Sequence, residues 1–167
     1  MNRESGVLMH ISSLWGDYSC GSFGKEAREF ADFLSYIGCS WWQVLPFCMV
    51  DECNSPYKSY SAFGGNPYFV DLEILYKKDL ITLSELKNAK QKTPYVCEFD
   101  RLSDERFALL KLASQRADKE KPEIEEFIKS HIHIAKFCEF MALMAVNGER
   151  PWQKWKVDKY NENVLYV

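Results

Sequence analysis

No apolar run in this sequence is long enough to cross a bilayer. The longest are interrupted at Gln43 or Glu139, well short of the roughly 20 residues that a transmembrane helix needs. The opening residues Met1-Asn2-Arg3-Glu4-Ser5-Gly6 lack the apolar segment of a signal peptide. A basic stripe is missing too. Net charge is −3 and the lysines and arginines are dispersed, so nothing is placed to neutralise a run of phosphates and no nucleic-acid partner is expected. The six cysteines (Cys20, Cys39, Cys48, Cys53, Cys97 and Cys138) contain no Cys-x-x-Cys pair. Without a secretion signal they read as reduced core or loop thiols of a cytoplasmic protein. The alternative is a Cys48/Cys53 metal or redox pair.

Signatures of common chemistries are absent as well. There is no Gly-x-Ser-x-Gly elbow near Ser12, Ser13 or Ser55, and His10 is the one histidine close to them. No glycine-rich phosphate loop follows a predicted strand, which disfavours a nucleotide. His131 and His133 lie two apart on a predicted helix, where side chains point about 200° away from each other and cannot share an ion. No cofactor and no metal are expected.

Aromatic residues, by contrast, are abundant at 15%. They concentrate in residues 41–72. Trp41-Trp42-Gln43-Val44-Leu45-Pro46 is short, apolar and stopped by a proline, the pattern of a buried strand. The following Ser55-Pro56-Tyr57 through Asn66-Pro67-Tyr68 is broken by Pro56, Gly64, Gly65 and Pro67, so an irregular loop is expected. A loop after a strand is where α/β proteins hold ligands. Tyr57 offers a flat platform, with Ser55, Ser59 and Asn66 as hydrogen-bonding groups, the usual recipe of a small-molecule site. A rigid packed loop with a tyrosine plug is the other reading. Asp17, Asp51, Glu52 and Asp71 flank this stretch, but spacing alone does not bring two carboxyls to the separation that glycoside chemistry requires.

Along the chain, residues 6–11 read as a first strand, apolar on both faces. Residues 25–37 have helical periodicity, with Ala27, Phe30, Ala31, Leu34 and Ile37 on one face, Ser22 as a potential cap and Gly38 at the C-terminal stop. Strand, helix, strand predicts a parallel βαβ unit. Residues 68–72 are expected to be briefly extended. Thr82 and Glu85 predict a capping box, flanked by the staple pair Ile81 and Leu86. Ser103 is expected to cap the next helix, and Pro122 to open one long helix ended by Gly148 and Pro151. Two parallel strands cannot bury their faces and edges alone. An incomplete sheet is therefore expected, or one that recruits strands from a second copy.

On these residues the sequence resembles the 4-alpha-glucanotransferases (amylomaltases, or disproportionating enzymes) of glycoside hydrolase family 77. The resemblance rests on Gly6-Val7-Leu8-Met9-His10, Ser12-Ser13-Leu14, Trp42-Gln43-Val44-Leu45-Pro46, Ser55-Pro56-Tyr57, Ser61-Ala62-Phe63, Asn66-Pro67 and Asp71-Leu72, with Pro151-Trp152 and Trp155 later. It departs at Ile11-Ser12 and in the loop before Ser55. The resemblance implies an α/β fold: an incomplete (β/α)8 TIM barrel, holding the first two parallel strands plus an inserted α-helical subdomain. Residues 1–75 would be the first βαβ unit with the aromatic substrate loop. Residues 76–167 would be the helical subdomain, truncated at its C-terminal end. A whole barrel takes about 250 residues. The implied activity is transfer of α-1,4-glucan segments between maltooligosaccharides, with glucose also serving as acceptor, by a retaining double displacement. The family's catalytic carboxylates have no counterpart motif here, so the chain alone is expected to be inactive. Tyr57 is implied to face the donor sugar, with Ser55, Pro56 and His10 lining the cleft. A non-catalytic glucan-binding or interaction module is the alternative function, and a truncated chain is expected to self-associate through its open strand edge.

Overall fold

The computed structural model describes residues 3–51, 53–148 and 151–156. The chain divides into two compact units, Met1–Leu110 and Lys111–Val167. The first unit begins with strand β1 (Gly6–Leu8) and a short 3-10 turn at Ile11–Ser13. Helix α1 (Lys25–Tyr36) then leads to strand β2 (Trp41–Gln43). The two strands pair in parallel, with Gly6, Val7 and Leu8 opposite Trp41, Trp42 and Gln43. This is the βαβ unit that the periodicity predicts, with both strands shorter than expected.

Local chemistry sets the ends of α1. Gly38 has a φ of +77°, a conformation open to glycine without penalty. Its N–H donates to the Ser35 carbonyl at 3.1 Å and that of Cys39 to the Leu34 carbonyl at 2.9 Å. These two bonds satisfy carbonyls that the helix end would otherwise orphan. Ser22 does not cap the helix in the ordinary way; its Oγ accepts the N–H of Gly24, the N-cap residue itself, at 3.2 Å.

The buried stripe of α1 is narrow. Ala27, Phe30 and Leu34 are buried, whereas Ala31 and Ile37 are exposed. Phe30 meets Trp42 edge-on, with ring centroids 4.9 Å apart, and Trp42 Nε1 donates to the Met9 carbonyl at 2.7 Å. Full burial of such a ring stabilises by roughly 1.5–3 kcal/mol. Each strand shows exposed, half-buried, exposed alternation. The expectation of strands apolar and covered on both faces is therefore corrected. Leu8 and Trp41 remain exposed, and the sheet among the described residues has two strands.

Within residues 68–72 the backbone is extended at Val70 and Asp71, and helical turns flank them. Pro67–Phe69 form a 3-10 turn, and α2 (Leu72–Lys77) starts at once, because Asp71 accepts the Glu73 N–H at 2.8 Å. Helix α3 (Leu83–Asn88) carries the expected capping box, and Ile81 and Leu86 are both buried. Helix α4 (Phe99–Arg101) starts before Ser103. A π turn, Leu102–Arg106, links it to α5 (Phe107–Gln115). Ser103 instead bonds the Asp100 carbonyl from within the turn. The wide turn carries two buried side chains, Leu102 and Arg106.

In the second unit the predicted single helix is two, α6 (Lys121–Ser130) and α7 (Ile132–Val146). His131 breaks them at φ −128°, ψ 60°, and its ring stacks on Phe127 at 4.2 Å. The stop at Gly148 holds, with φ +65°. The final apolar residues, 164–167, lie outside the described residues. No described helix is long and apolar enough to cross a membrane.

Candidate functional site

The loop after β2 doubles back on itself rather than wandering. Asn66 N–H donates to the Phe47 carbonyl (2.9 Å), Met49 N–H to that of Gly64 (3.1 Å) and Asp51 N–H to that of Lys58 (3.2 Å). Antiparallel bridges join Cys48 with Gly65 and Val50 with Ser59. The stretch expected to be irregular is thus a short, bent ribbon.

Its tip is built from turns. Asn54, at φ +53°, donates its N–H to the Asp51 carbonyl at 2.9 Å. Lys58 then donates to the Ser55 carbonyl at 3.1 Å. That bond closes a β-turn with Pro56 at its second position, where the ring's fixed φ belongs. Tyr57 occupies the third corner and is 75% exposed. Lys58 also pairs with Asp51 at 2.6 Å, and this bond holds the Asp51 carboxyl below the usual carboxylate range.

A cavity of about 260 Å3 lies beside this ribbon. His10, two residues past β1, lines it together with Ser13, Asn54, Pro56, Asn66 and Phe69. Of the side chains singled out from the sequence for ligand contact, His10, Pro56 and Asn66 therefore line one cavity. Ser55 and Tyr57 are not part of it. Ser55 uses its carbonyl to close the turn, and Tyr57 follows Pro56 outward. Ser59 and Asn66 serve the loop itself. Ser59 Oγ lies 2.5 Å from the Met49 carbonyl, and Asn66 Oδ1 accepts the Tyr68 N–H at 2.9 Å.

His10 is the most informative residue of the wall. It is 8% exposed. Its ring stacks on Phe47 at 5.8 Å and meets Phe69 edge-on at 5.4 Å. Burial lowers its pKa below 6.5, so the imidazole is neutral, one nitrogen donating and the other accepting. Nδ1 is buried without a hydrogen-bond partner among the described residues. Buried polar atoms are nearly always paired. This atom is an exception, in a residue that also lines the cavity.

The carboxylates around the loop are engaged elsewhere. Asp17 pairs with Lys90 at 2.6 Å, Asp51 with Lys58, and Asp71 caps α2. Glu52 lies outside the described residues. Among the described residues no three metal-binding side chains cluster, and all the described cysteines, Cys48 and Cys53 included, are free thiols. Sequence reasoning missed Ser13 and Asn54 as wall residues, since an isolated serine or asparagine in a loop carries no spacing signal.

Comparison with known proteins gives a consistent result. A family model described as 4-alpha-glucanotransferase matches residues 9–165. A 4-alpha-glucanotransferase of Streptococcus pneumoniae serotype 4 is 36% identical over 158 residues, covering 92% of this chain and 31% of that protein. A Thermus thermophilus 4-alpha-glucanotransferase is 37% identical over 160 residues, with the same two shares of 92% and 31%. The solved amylomaltase from Streptococcus agalactiae, in complex with acarbose, superposes with a TM-score of 0.85 at 32% identity, covering 98% of this chain and 34% of that one. The chain thus spans about a third of the length of these relatives.

Proposed function

The chain belongs to the 4-alpha-glucanotransferase family, glycoside hydrolase family 77, and from that premise we propose that it supplies the opening third of a (β/α)8-barrel enzyme that moves α-1,4-glucan segments between maltooligosaccharides. In this reading residues 1–75 are the first βαβ unit, and residues 76–167 belong to a helical subdomain inserted before the third strand. The outer edges of β1 and β2 would pair with the barrel's remaining strands or, in the isolated chain, with a second copy.

The observation that carries the reading is the buried His10, which lines a cavity together with Pro56 and Asn66. Pro56 sets the turn that presents Tyr57. A sugar offers what these groups can take: hydroxyls for His10, and an apolar ring face for Tyr57. The acarbose held by the Streptococcus agalactiae relative supports a sugar-like ligand. Asp17, Asp51 and Asp71 are already engaged, so the nucleophile and acid/base of a retaining double displacement would come from further along the enzyme.

The test is incubation of maltotriose with this chain alone and with the whole enzyme of which it is part. Glucose and longer glucans are expected from the whole enzyme only. Absence of transfer from the whole enzyme would overturn the reading. Glucan binding without transfer would favour the non-catalytic module instead.

A further inference from the structure

Arg106, the last residue of the π turn, is the one lysine or arginine buried among the described residues, at 5% exposed. Its guanidinium donates to three backbone carbonyls on two other segments. Two of them, Val70 (3.0 Å) and Tyr68 (3.5 Å), follow the ribbon, and the third, Tyr18, lies in the loop after β1. Among the described residues none of its hydrogen-bond partners is a carboxylate. A buried cation without an ion pair is costly, and an apolar side chain of similar volume often fills such a place at lower cost. What the guanidinium adds is a rigid fork of donors that holds several acceptors at once.

Both clamped segments carry the cavity wall. The loop after β1 runs on from His10 and Ser13, and the turn Pro67–Phe69 runs on from Asn66. Tyr68 and Phe69 line the cavity themselves, and so does Leu102 from the same π turn as Arg106. Arg106 itself does not line it. Further bonds tie the same backbone: Phe23 N–H donates to the Phe69 carbonyl at 3.0 Å, and Glu98 N–H to the Ser19 carbonyl at 2.7 Å. Ser19 stands at φ +69°, a left-handed conformation that costs a non-glycine residue and persists only where the surroundings hold it. The Tyr18 and Ser19 carbonyls are both held, one by Arg106 and the other by Glu98. Single π turns within α-helical stretches recur at functional sites.

We propose that Arg106 is a positioning residue for glucan binding: by holding the loop after β1 and the turn Pro67–Phe69 together, it fixes the shape of the cavity that His10, Ser13, Asn66 and Phe69 line. The inference rests on the sugar-binding reading of that cavity. Arg106 acts through backbone and not by touching the sugar. A wall already held in its binding shape need not be ordered when the ligand arrives, and that saving appears as affinity. Coupling of this kind changes affinity by about 5-fold or more, and it is reciprocal. If the clamp tightens glucan binding, bound glucan tightens the clamp by the same factor.

The test uses the whole enzyme of which this chain is part. In Arg106→Met, KM for maltotriose should rise about 5-fold or more, with kcat within about twofold, the pattern of lost uniform binding. A merely structural role would leave fewer folded molecules, which lowers kcat at unchanged KM. A second measurement needs no variant: hydrogen exchange of the wild-type enzyme with and without saturating acarbose. Exchange of the Phe23 and Glu98 amides should slow by about 5-fold or more. Unchanged KM in folded Arg106→Met would overturn the proposal. Where that variant does not fold, unchanged exchange at both amides would do so. An enzyme that transfers glucan yet gives either of these results loses the positioning role alone. One that neither transfers glucan nor binds acarbose loses the sugar reading, and this inference with it.

Discussion

Adding one methyl group at Gly21 should damage this fold badly. A Cβ built there falls 1.9 Å from the Ile11 carbonyl oxygen, 2.9 Å from Leu14 Cβ and 3.0 Å from the Leu14 carbonyl oxygen. Carbon and oxygen rest at about 3.3–3.6 Å even in favourable contact, so the Ile11 peptide would have to retreat by more than about 1 Å. It has nowhere to go, since Ile11 is 2% exposed and Leu14 is buried too. Overfilling a packed core costs about 1–3 kcal/mol and occasionally more. A clash with backbone rather than with a flexible side chain belongs at the upper end. Gly21→Ala should therefore lose about 3 kcal/mol, or about 6–12 °C in Tm for a chain of this size. The control is Gly65→Ala, where an added Cβ meets nothing within 4 Å. That variant should be neutral or gain up to about 1 kcal/mol by restricting the unfolded chain. Chemical denaturation of both variants beside the parent decides the matter. Equal midpoints for the two would refute the close approach of the loop to Ile11. Because Ile11 follows His10, Gly21→Ala should also weaken glucan binding.

Thr82→Ala removes half of a reciprocal cap, in which Glu85 N–H donates to Thr82 Oγ1 at 3.2 Å and Thr82 N–H to Glu85 Oε2 at 2.7 Å. It should cost about 1 kcal/mol, and an unchanged denaturation midpoint would count against the cap. Tyr57→Ala should leave stability within about 0.5 kcal/mol, as the side chain is exposed. Its glucan affinity should fall about 3- to 10-fold through loss of the stacking surface, and unchanged affinity would remove Tyr57 from the site. His10 has a depressed folded-state pKa, so below 6.5 the unfolded chain binds the proton that the folded chain resists. Its contribution to stability is full above 6.5 and declines as pH falls below it. His10→Gln should flatten that part of the profile, and an identical slope in both proteins would show that His10 is not buried as a neutral base.

Much of the first unit was legible because its signals are local. The Gly38 stop, the Thr82–Glu85 box and the parallel pairing across α1 each depend on residues close in sequence or on one short crossover. Misreadings arose where local preference met a tertiary contact. Ser103 is a good N-cap type, yet the helix starts earlier and passes it within a π turn that also carries the buried Leu102 and Arg106. Ala31 and Ile37 have the right period for the core face of α1, but the core buries Ala27, Phe30 and Leu34 and leaves those two exposed. At His131 the helical period continues on both sides of a backbone break that no proline or glycine announces.

The site divides in the same way. The sequence by itself determined that regular structure would break off after the second strand and that Tyr57 would stand in the loop that follows, because Pro56 restricts its own φ whatever surrounds it. It also marked the family, through motifs that lie mostly within its first 72 residues. Only the tertiary structure decided that His10 would be neutral and lack a partner at Nδ1. That state depends on Phe47 and Phe69 closing over the ring while no donor or acceptor arrives with them. Tertiary structure alone also placed Arg106 against the carbonyls of Tyr18, Tyr68 and Val70 and beside Cys20. Those partners are far apart along the chain, and desolvation, which sets the charge of each group, is a property of the packed core and not of any one segment.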